Sequence, residues 1–207
     1  MQVSDLYYKK YLKYKNKYLN LQSQIGGRFI NIEINGIVLP RETKTIDLTN
    51  AELLEDDFNL LIQYLPHFIN LKNLILTNTS INLHEAPQLA IALKDKTSLE
   101  TLILTSNPID DPGAIAIAKI LNTLTNLIEL DLFSNSISHM GIRALANALE
   151  SNTSLRILNI GNNDIFTPKT TYGLLADRLR QNTTLQTLKG IPEEYHSLFS
   201  STLTLTI

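Results

Sequence analysis

Side chains able to do chemistry are sparse in this chain, and their spacing argues against an active centre. The four histidines, His67, His84, His139 and His196, do not pair at metal-ligand spacing, and each falls at a predicted helix start, helix end or turn. Cysteine is absent, which removes thiolate nucleophiles, disulfides and Cys-ligated zinc or iron–sulfur sites, and suits a reducing compartment. Neither a G-x-S-x-G elbow nor a phosphate-binding Gly-Lys-Ser/Thr loop occurs. Asp110-Asp111 precedes Pro112 and reads as a helix cap rather than an acid–base pair. Glu55-Asp56-Asp57 and Glu193-Glu194 read as first helical turns, where negative charge is favoured. The expectation is therefore no catalytic residue, no metal, no cofactor and no enzymatic activity.

The elements that carry these residues repeat. Leu71, Leu99, Leu127 and Leu155 are each 28 residues apart, and Leu185 follows after 30. The unit is L-x-x-L-x-L-x-x-N-x-I. It reads Leu99, Leu102, Leu104, Asn107, Ile109, then Leu127, Leu130, Leu132, Asn135, Ile137, then Leu155, Leu158, Ile160, Asn163, Ile165. The copy at Leu71 keeps Leu74, Leu76 and Ile81 but has Thr79 in the Asn position, and a degenerate copy begins near Thr43 with Ile46, Leu48 and Leu53. Each copy then changes period from 2 to 3.6. Ala114, Ile117, Ala118 and Leu121 fall on one helical face, as do Ala86, Leu89, Ala90 and Leu93, then Ile142, Leu145, Ala146 and Leu149, then Tyr172, Leu175, Ala176 and Leu179. The small Ala lets each helix lie close to a strand layer. Thr167-Pro168 marks another helix start, and Lys96-Thr97-Ser98, Asn152-Thr153-Ser154 and Asn182-Thr183-Thr184 mark the returns.

With 207 residues, 37 of them Leu, 24 Ile and 20 Asn, the chain is long enough for one substantial repeat domain. The registered copies over residues 43–190 look like a leucine-rich repeat protein, specifically the ribonuclease-inhibitor-like subtype. That resemblance implies an α/β fold: a right-handed solenoid with a curved parallel sheet inside and helices outside. Spacing agrees, because strands stack about 4.8 Å apart while packed helices need about 8–10 Å, so the stack bends toward the strands. The resemblance also implies a structural ladder for Asn107, Asn135 and Asn163, whose amides bond the backbone of their own turn and of neighbouring coils.

Alternation sets the candidate binding surface. Leu102 and Leu104 point to the core, so Thr101, Ile103 and Thr105 face the other way. Three columns follow: Thr45, Asn73, Thr101, Glu129, Ile157, Thr187; then Asp47, Ile75, Ile103, Asp131, Asn159, Lys189; then Thr49, Thr77, Thr105, Phe133, Gly161, Ile191. Ile75, Ile103 and Phe133 are apolar where water is expected, beside Glu129 and Asp131, the anatomy of an interaction patch. Strand propensity alone also accounts for neighbouring Ile residues. The predicted partner-binding set is Asn73, Ile75, Thr101, Ile103, Glu129, Asp131, Phe133, Ile157 and Asn159.

The ends differ from the repeats. Residues 29–40 alternate around Asn35-Gly36 and predict an N-terminal β-hairpin cap. Leu185 and Leu188 open a shortened copy, Tyr195, Leu198 and Phe199 suggest a short helix, and Leu203, Leu205 and Ile207 alternate as a last strand. The division expected is residues 1–27 as a Tyr/Lys-rich helix with a Gly-Gly linker, and 28–207 as the repeat domain, with about five repeats of 28–30 residues plus caps. Residues 1–24 carry five Lys against Asp5, a balance of +4 that leaves −6 for the rest of a chain of net charge −2. Tyr7, Tyr11, Tyr14, Tyr18 and Leu21 form an a/d stripe. The segment resembles N-terminal leaders of giant DNA virus proteins, which implies a viral effector or virion component. Three roles fit it: a solvated helix on a flexible hinge, a coiled-coil or peripheral membrane contact through Tyr and Lys, or a removable leader.

The function expected is a non-catalytic protein–protein interaction module that binds a protein partner through the concave sheet face. The alternative is a small-GTPase regulator, since the repeats are similar to those of the GTPase-activating protein of the nuclear-transport GTPase. That family carries an acidic C-terminal tract and more repeats, whereas this sequence closes on Thr204-Leu205-Thr206-Ile207. No F-box precedes the repeats. A nucleic-acid partner is not expected, because no basic footprint covers the chain. No apolar run reaches the roughly 20 residues of a membrane span, and Tyr and Lys alternate where a secretory signal needs an apolar core. The location expected is intracellular: the cytoplasm, or the host cytoplasm or virion for a viral protein. Asn78, Asn152 and Asn182 head Asn-x-Ser/Thr triplets and are read as structural rather than glycosylated.

Overall fold

Asn35 (φ 46°) and Gly36 (φ 78°) both occupy the left-handed region that a two-residue type I′ turn requires. They join strands β1 (Asn31–Ile34) and β2 (Ile37–Pro40), which pair antiparallel with Ile34 opposite Ile37. This is the start of the computed structural model, which describes residues 31–207. The predicted helix and linker over residues 1–27 lie outside the described residues. The hairpin is a separate two-stranded sheet. Its Ile34 and Leu39 enter the core, while Ile37 and Val38 stay exposed.

Seven three-residue strands then stack in chain order into one parallel sheet: β3 (Thr45–Asp47), β4 (Asn73–Ile75), β5 (Thr101–Ile103), β6 (Glu129–Asp131), β7 (Ile157–Asn159), β8 (Thr187–Lys189) and β9 (Thr204–Thr206). The register is that of the repeat: Leu74 lies opposite Leu102, Leu102 opposite Leu130, Leu130 opposite Leu158, and Leu158 opposite Leu188. Backbone pairing runs on past each strand. Leu76 N–H donates to Ile103 O, Asn78 N–H to Thr105 O, Leu104 N–H to Asp131 O and Ser106 N–H to Phe133 O. At that point each coil turns through a left-handed residue, Asn50, Asn78, Ser106, Ser134 or Asn162, with φ between 52° and 61°.

Helices α1 (Glu55–Tyr64), α2 (Glu85–Leu93), α3 (Asp110–Ile120), α4 (His139–Leu149) and α5 (Pro168–Leu179) cover the other face. Their predicted core positions are buried: Ala86, Leu89, Ala90 and Leu93 in α2, and Ile142, Leu145, Ala146 and Leu149 in α4. These meet Leu74, Leu102, Leu130 and Leu158 in one continuous core, where each Leu contributes about 2 kcal/mol on leaving water. The sixth coil has only a 3₁₀ segment, Glu193–Leu198, in place of a helix. Glu55, Asp56 and Asp57 do occupy the first turn of α1, and Thr167 is the N-cap residue of α5 with Pro168 behind it.

Two sequence expectations need correction. Asp111 does not cap its own helix. Its Oδ1 accepts Ser138 N–H at 2.9 Å and Gly141 N–H at 2.8 Å, and Oδ2 accepts the Ser138 hydroxyl. The carboxylate therefore sits at the N-terminus of α4, one coil on, where free N–H groups and the helix dipole both favour a negative charge. Replacing Asp111 with Ala is expected to lower stability by about 1–2 kcal/mol, with Asn costing less because it keeps the acceptor. An unchanged melting midpoint in the Ala variant would show that coil-to-coil capping contributes nothing. The second correction is Ile191, placed in the outward column. It is fully buried, because Gly190 (φ 85°) turns the chain and both Gly190 N–H and Ile191 N–H donate to Thr206 O.

Candidate functional site

The sheet face turned away from the helices displays the predicted set in register. Asn73, Thr101, Glu129 and Ile157 form one row across β4 to β7, and Ile75, Ile103, Asp131 and Asn159 the next. All eight are half-buried rather than exposed, because strands about 4.8 Å apart crowd each side chain between two neighbours. Phe133, just past β6, is 39% exposed. It stands beside Gly161, where an added Cβ would come within 3.0 Å of the Phe133 ring. On this face Ile75 stands opposite Ile103 and Ile103 opposite Asp131, with Glu129 two residues before Asp131 and Phe133 two residues after it.

Much of the polar chemistry on this face is spent internally. Asp131 Oδ1 accepts the Thr105 hydroxyl at 2.8 Å and Phe133 N–H at 2.9 Å, while Oδ2 accepts Asn159 Nδ2–H at 2.9 Å. Asn159 Oδ1 in turn accepts Gly161 N–H, and Asn73 Nδ2 donates to the Thr45 hydroxyl. Asp47 repeats the pattern with Thr49, whose hydroxyl and then backbone N–H hold its carboxyl below the usual range. The shared device is a carboxylate or amide accepting the N–H two residues on, which ends the strand in a fixed turn. Thr49 and Thr105 stand in the sequence columns without any sign of this role.

The repeat Asn side chains bond their own turn and the turn of the preceding coil. Asn107 is 2% exposed; its Nδ2 donates to Leu76 O, Leu104 O and Thr105 O, and its Oδ1 accepts Thr79 N–H, the Thr79 hydroxyl and Ile81 N–H. Asn163 Oδ1 likewise accepts Asn135 N–H and Ile137 N–H. Asn135 Nδ2 donates to Leu104 O and Phe133 O, but its Oδ1 is buried without a partner.

A second amide ladder lies at the opposite turns. Asn152 Oδ1 accepts Ser154 N–H and Leu155 N–H while its Nδ2 donates to Leu121 O, and Asn182 repeats this with Thr184, Leu185 and Leu149. Both amide nitrogens are occupied within the fold, and Asn152 is buried, so a glycan has no room there. Lys96 fills the same position two coils before Asn152, with Leu124 in the coil between; its ammonium donates to Pro66 O and Phe68 O, and burial pushes its pKa down.

Among the described residues, no three His, Asp or Glu side chains gather as metal ligands, and no helix is long and apolar enough to cross a membrane. His196 Nε2 lies 2.7 Å from Ile191 O, and His67 stacks at a tilt near Tyr64, so both histidines serve local packing.

Comparison with known proteins agrees with this architecture. A sequence profile of the family described as Leucine Rich repeat matches residues 95–118, 123–146 and 151–168. Among solved structures, the chain is similar to leiomodin-1 actin-binding site 2, with 28% identity, a TM-score of 0.59, and coverage of 63% of this chain and 77% of that one. It is also similar to an internalin of Listeria monocytogenes, at 17% identity and a TM-score of 0.36, covering 83% of this chain and 63% of that one. No curated protein matches the sequence. The 28-residue coils, the seven-stranded parallel sheet and the matched repeats make the fold a leucine-rich repeat solenoid with an N-terminal hairpin.

Proposed function

We propose that this chain is a non-catalytic module that binds a protein partner on the concave sheet face. The observation that carries the reading is the cluster of Ile75 and Ile103 with Phe133, the last still 39% exposed, on a sheet whose backbone is hydrogen-bonded from coil to coil. A rigid apolar centre with polar neighbours binds without the cost of ordering loops. The fold is one whose domains commonly serve as binding scaffolds, and the similar region of leiomodin-1 is an actin-binding site. That similarity makes actin the first defined partner to test, by co-sedimentation with filaments and by chromatography with monomers.

The direct test of the face is Phe133→Ala. Folding is expected to be preserved within about 1 kcal/mol, because the ring is partly in water, while affinity for the partner falls by about tenfold or more, as for an interface anchor. Loss of folding would instead make Phe133 a core residue. The wider proposal keeps the ribonuclease-inhibitor-like subtype for the repeats. It treats residues 1–27 as a separate leader and allows a viral effector or virion component acting inside a host cell. A GTP-hydrolysis assay separates this module from the small-GTPase-regulator alternative, since a simple binder leaves the rate unchanged.

A further inference from the structure

Glu129 lies in the middle of the sheet face, half-buried, two residues before Asp131 on β6. The two carboxylates differ in one respect. Both oxygens of Asp131 accept hydrogen bonds from Thr105, Phe133 and Asn159. Glu129 receives none: no described residue gives it a hydrogen bond or an ion pair, and its neighbours across the sheet are Thr101 and Ile157. From β4 to β7 the outward strand positions carry these two carboxylates and no basic side chain. The first cation on the face is Lys189, two strands further along.

A partner that covers this face removes water from Glu129. A carboxylate that loses its water without gaining a counter-charge is heavily penalised, whereas an incoming guanidinium or ammonium replaces the lost solvation. Taking the protein-binding reading above as given, we propose that the occupant is an extended basic segment of a protein. It places a Lys or Arg against Glu129 and an apolar or aromatic side chain over Ile75, Ile103 and Phe133. The geometry suits an extended chain. Alternate residues of a strand project to one side about 7 Å apart, and adjacent strands of the sheet lie about 4.8 Å apart, so one residue can meet the isoleucines while its alternate neighbour meets Glu129. Arg fits best, since its planar fork can bond both carboxylate oxygens.

The test is selection of random displayed peptides on the intact purified chain. The affinities of the recovered peptides are then measured against wild type, Glu129→Gln, Glu129→Lys and Phe133→Ser, each checked for an unchanged melt. The expected peptides carry Lys or Arg one or two residues from an aromatic or branched apolar residue. Their affinity falls about fivefold in Glu129→Gln and about thirtyfold or more in Glu129→Lys. It also weakens between about 50 mM and about 300 mM salt, as a charge pair at a partly open interface must. Peptides that need Phe133 but are neutral or acidic, or that ignore Glu129→Lys, overturn the basic-segment inference and leave face binding standing. Peptides indifferent to both Phe133→Ser and Glu129→Lys, or no enriched peptide at all, count against the face itself and so against both readings.

Discussion

Asn107→Ala is expected to lower the unfolding free energy by about 4 kcal/mol, near the upper end for a single substitution. The side chain is 2% exposed and makes six hydrogen bonds, with only one donor group and one acceptor atom shared among them. Alanine removes both. Leu76 O and Leu104 O each lose one donor but keep another, the Thr79 hydroxyl and the Asn135 amide, while Thr79 N–H and Ile81 N–H lose the oxygen that satisfied them. Each of these two buried N–H groups left unpaired costs about 1–3 kcal/mol. Chemical denaturation checks this through the shift in midpoint at constant slope. Asn126→Ala is the matched control: its Nδ2 also bonds a carbonyl of the previous coil, Thr97 O at 2.7 Å, but in an exposed place. That variant should lose no more than about 0.5 kcal/mol. Equal losses in the two variants would remove the special role assigned to Asn107.

Gly190→Ala is expected to be comparably damaging, for a steric reason. At φ 85° a side chain is already strained, and a Cβ would stand 2.1 Å from Gly161 Cα and 2.2 Å from Gly161 N. Both obstacles are backbone, so no rotamer change relieves the clash. The ends of β7 and β8 must separate, which strains the Ile160 N–H bond to Lys189 O between them and pushes Gly190 and Ile191 against their bonds to Thr206. A loss of about 3 kcal/mol or more is expected, concentrated in the last coil because each coil contacts only its neighbours. Hydrogen exchange reads this as faster exchange over residues 187–206 with little change over residues 73–131. Gly161→Ala is the informative partner. Its Cβ meets the Phe133 ring at 3.0 Å and Gly190 Cα at 3.1 Å, so part of the strain falls on a movable ring. A smaller stability loss is expected there, together with altered binding, since Phe133 has to shift. Uniform exchange across all coils in Gly190→Ala would refute the local mechanism.

These two sites mark how far the sequence can be read. Asn107 recurs beside regularly spaced Leu, and its ladder role is what the resemblance to leucine-rich repeat proteins implies; its particular bonding partners are set only in the fold. Glu129 and Phe133 can be placed on the outward face by alternation alone. Their different states cannot: Phe133 stays 39% exposed beside Gly161, which has no side chain to cover it, and Glu129 has no counter-charge among the described residues because its cross-strand neighbours are Thr101 and Ile157, with the Thr101 hydroxyl not bonded to it. Asp111 departs from its expected role because a cap can serve a helix one coil away, and separation along the chain says nothing about that.

The 28-residue period, the alternation that buries Leu102 and Leu104, the switch to helical spacing, and the Asn35-Gly36 hairpin are local and repeated properties, so residue order alone sets the coil, its succession and its two faces. What the coils do to one another emerges only on stacking. Ser106 and Ser134, residues with no strong preference for the left-handed region, take φ 57° because their N–H groups must pair with Phe133 O and Gly161 O in the next coil. Lys96 holds two carbonyls where other coils use Asn, and Ile191 leaves the outward column because Gly190 turns beneath Thr206. In each case the deciding energy is a buried hydrogen bond or a steric contact between neighbouring coils, made by residues far apart along the chain, which exists only once those coils have packed together.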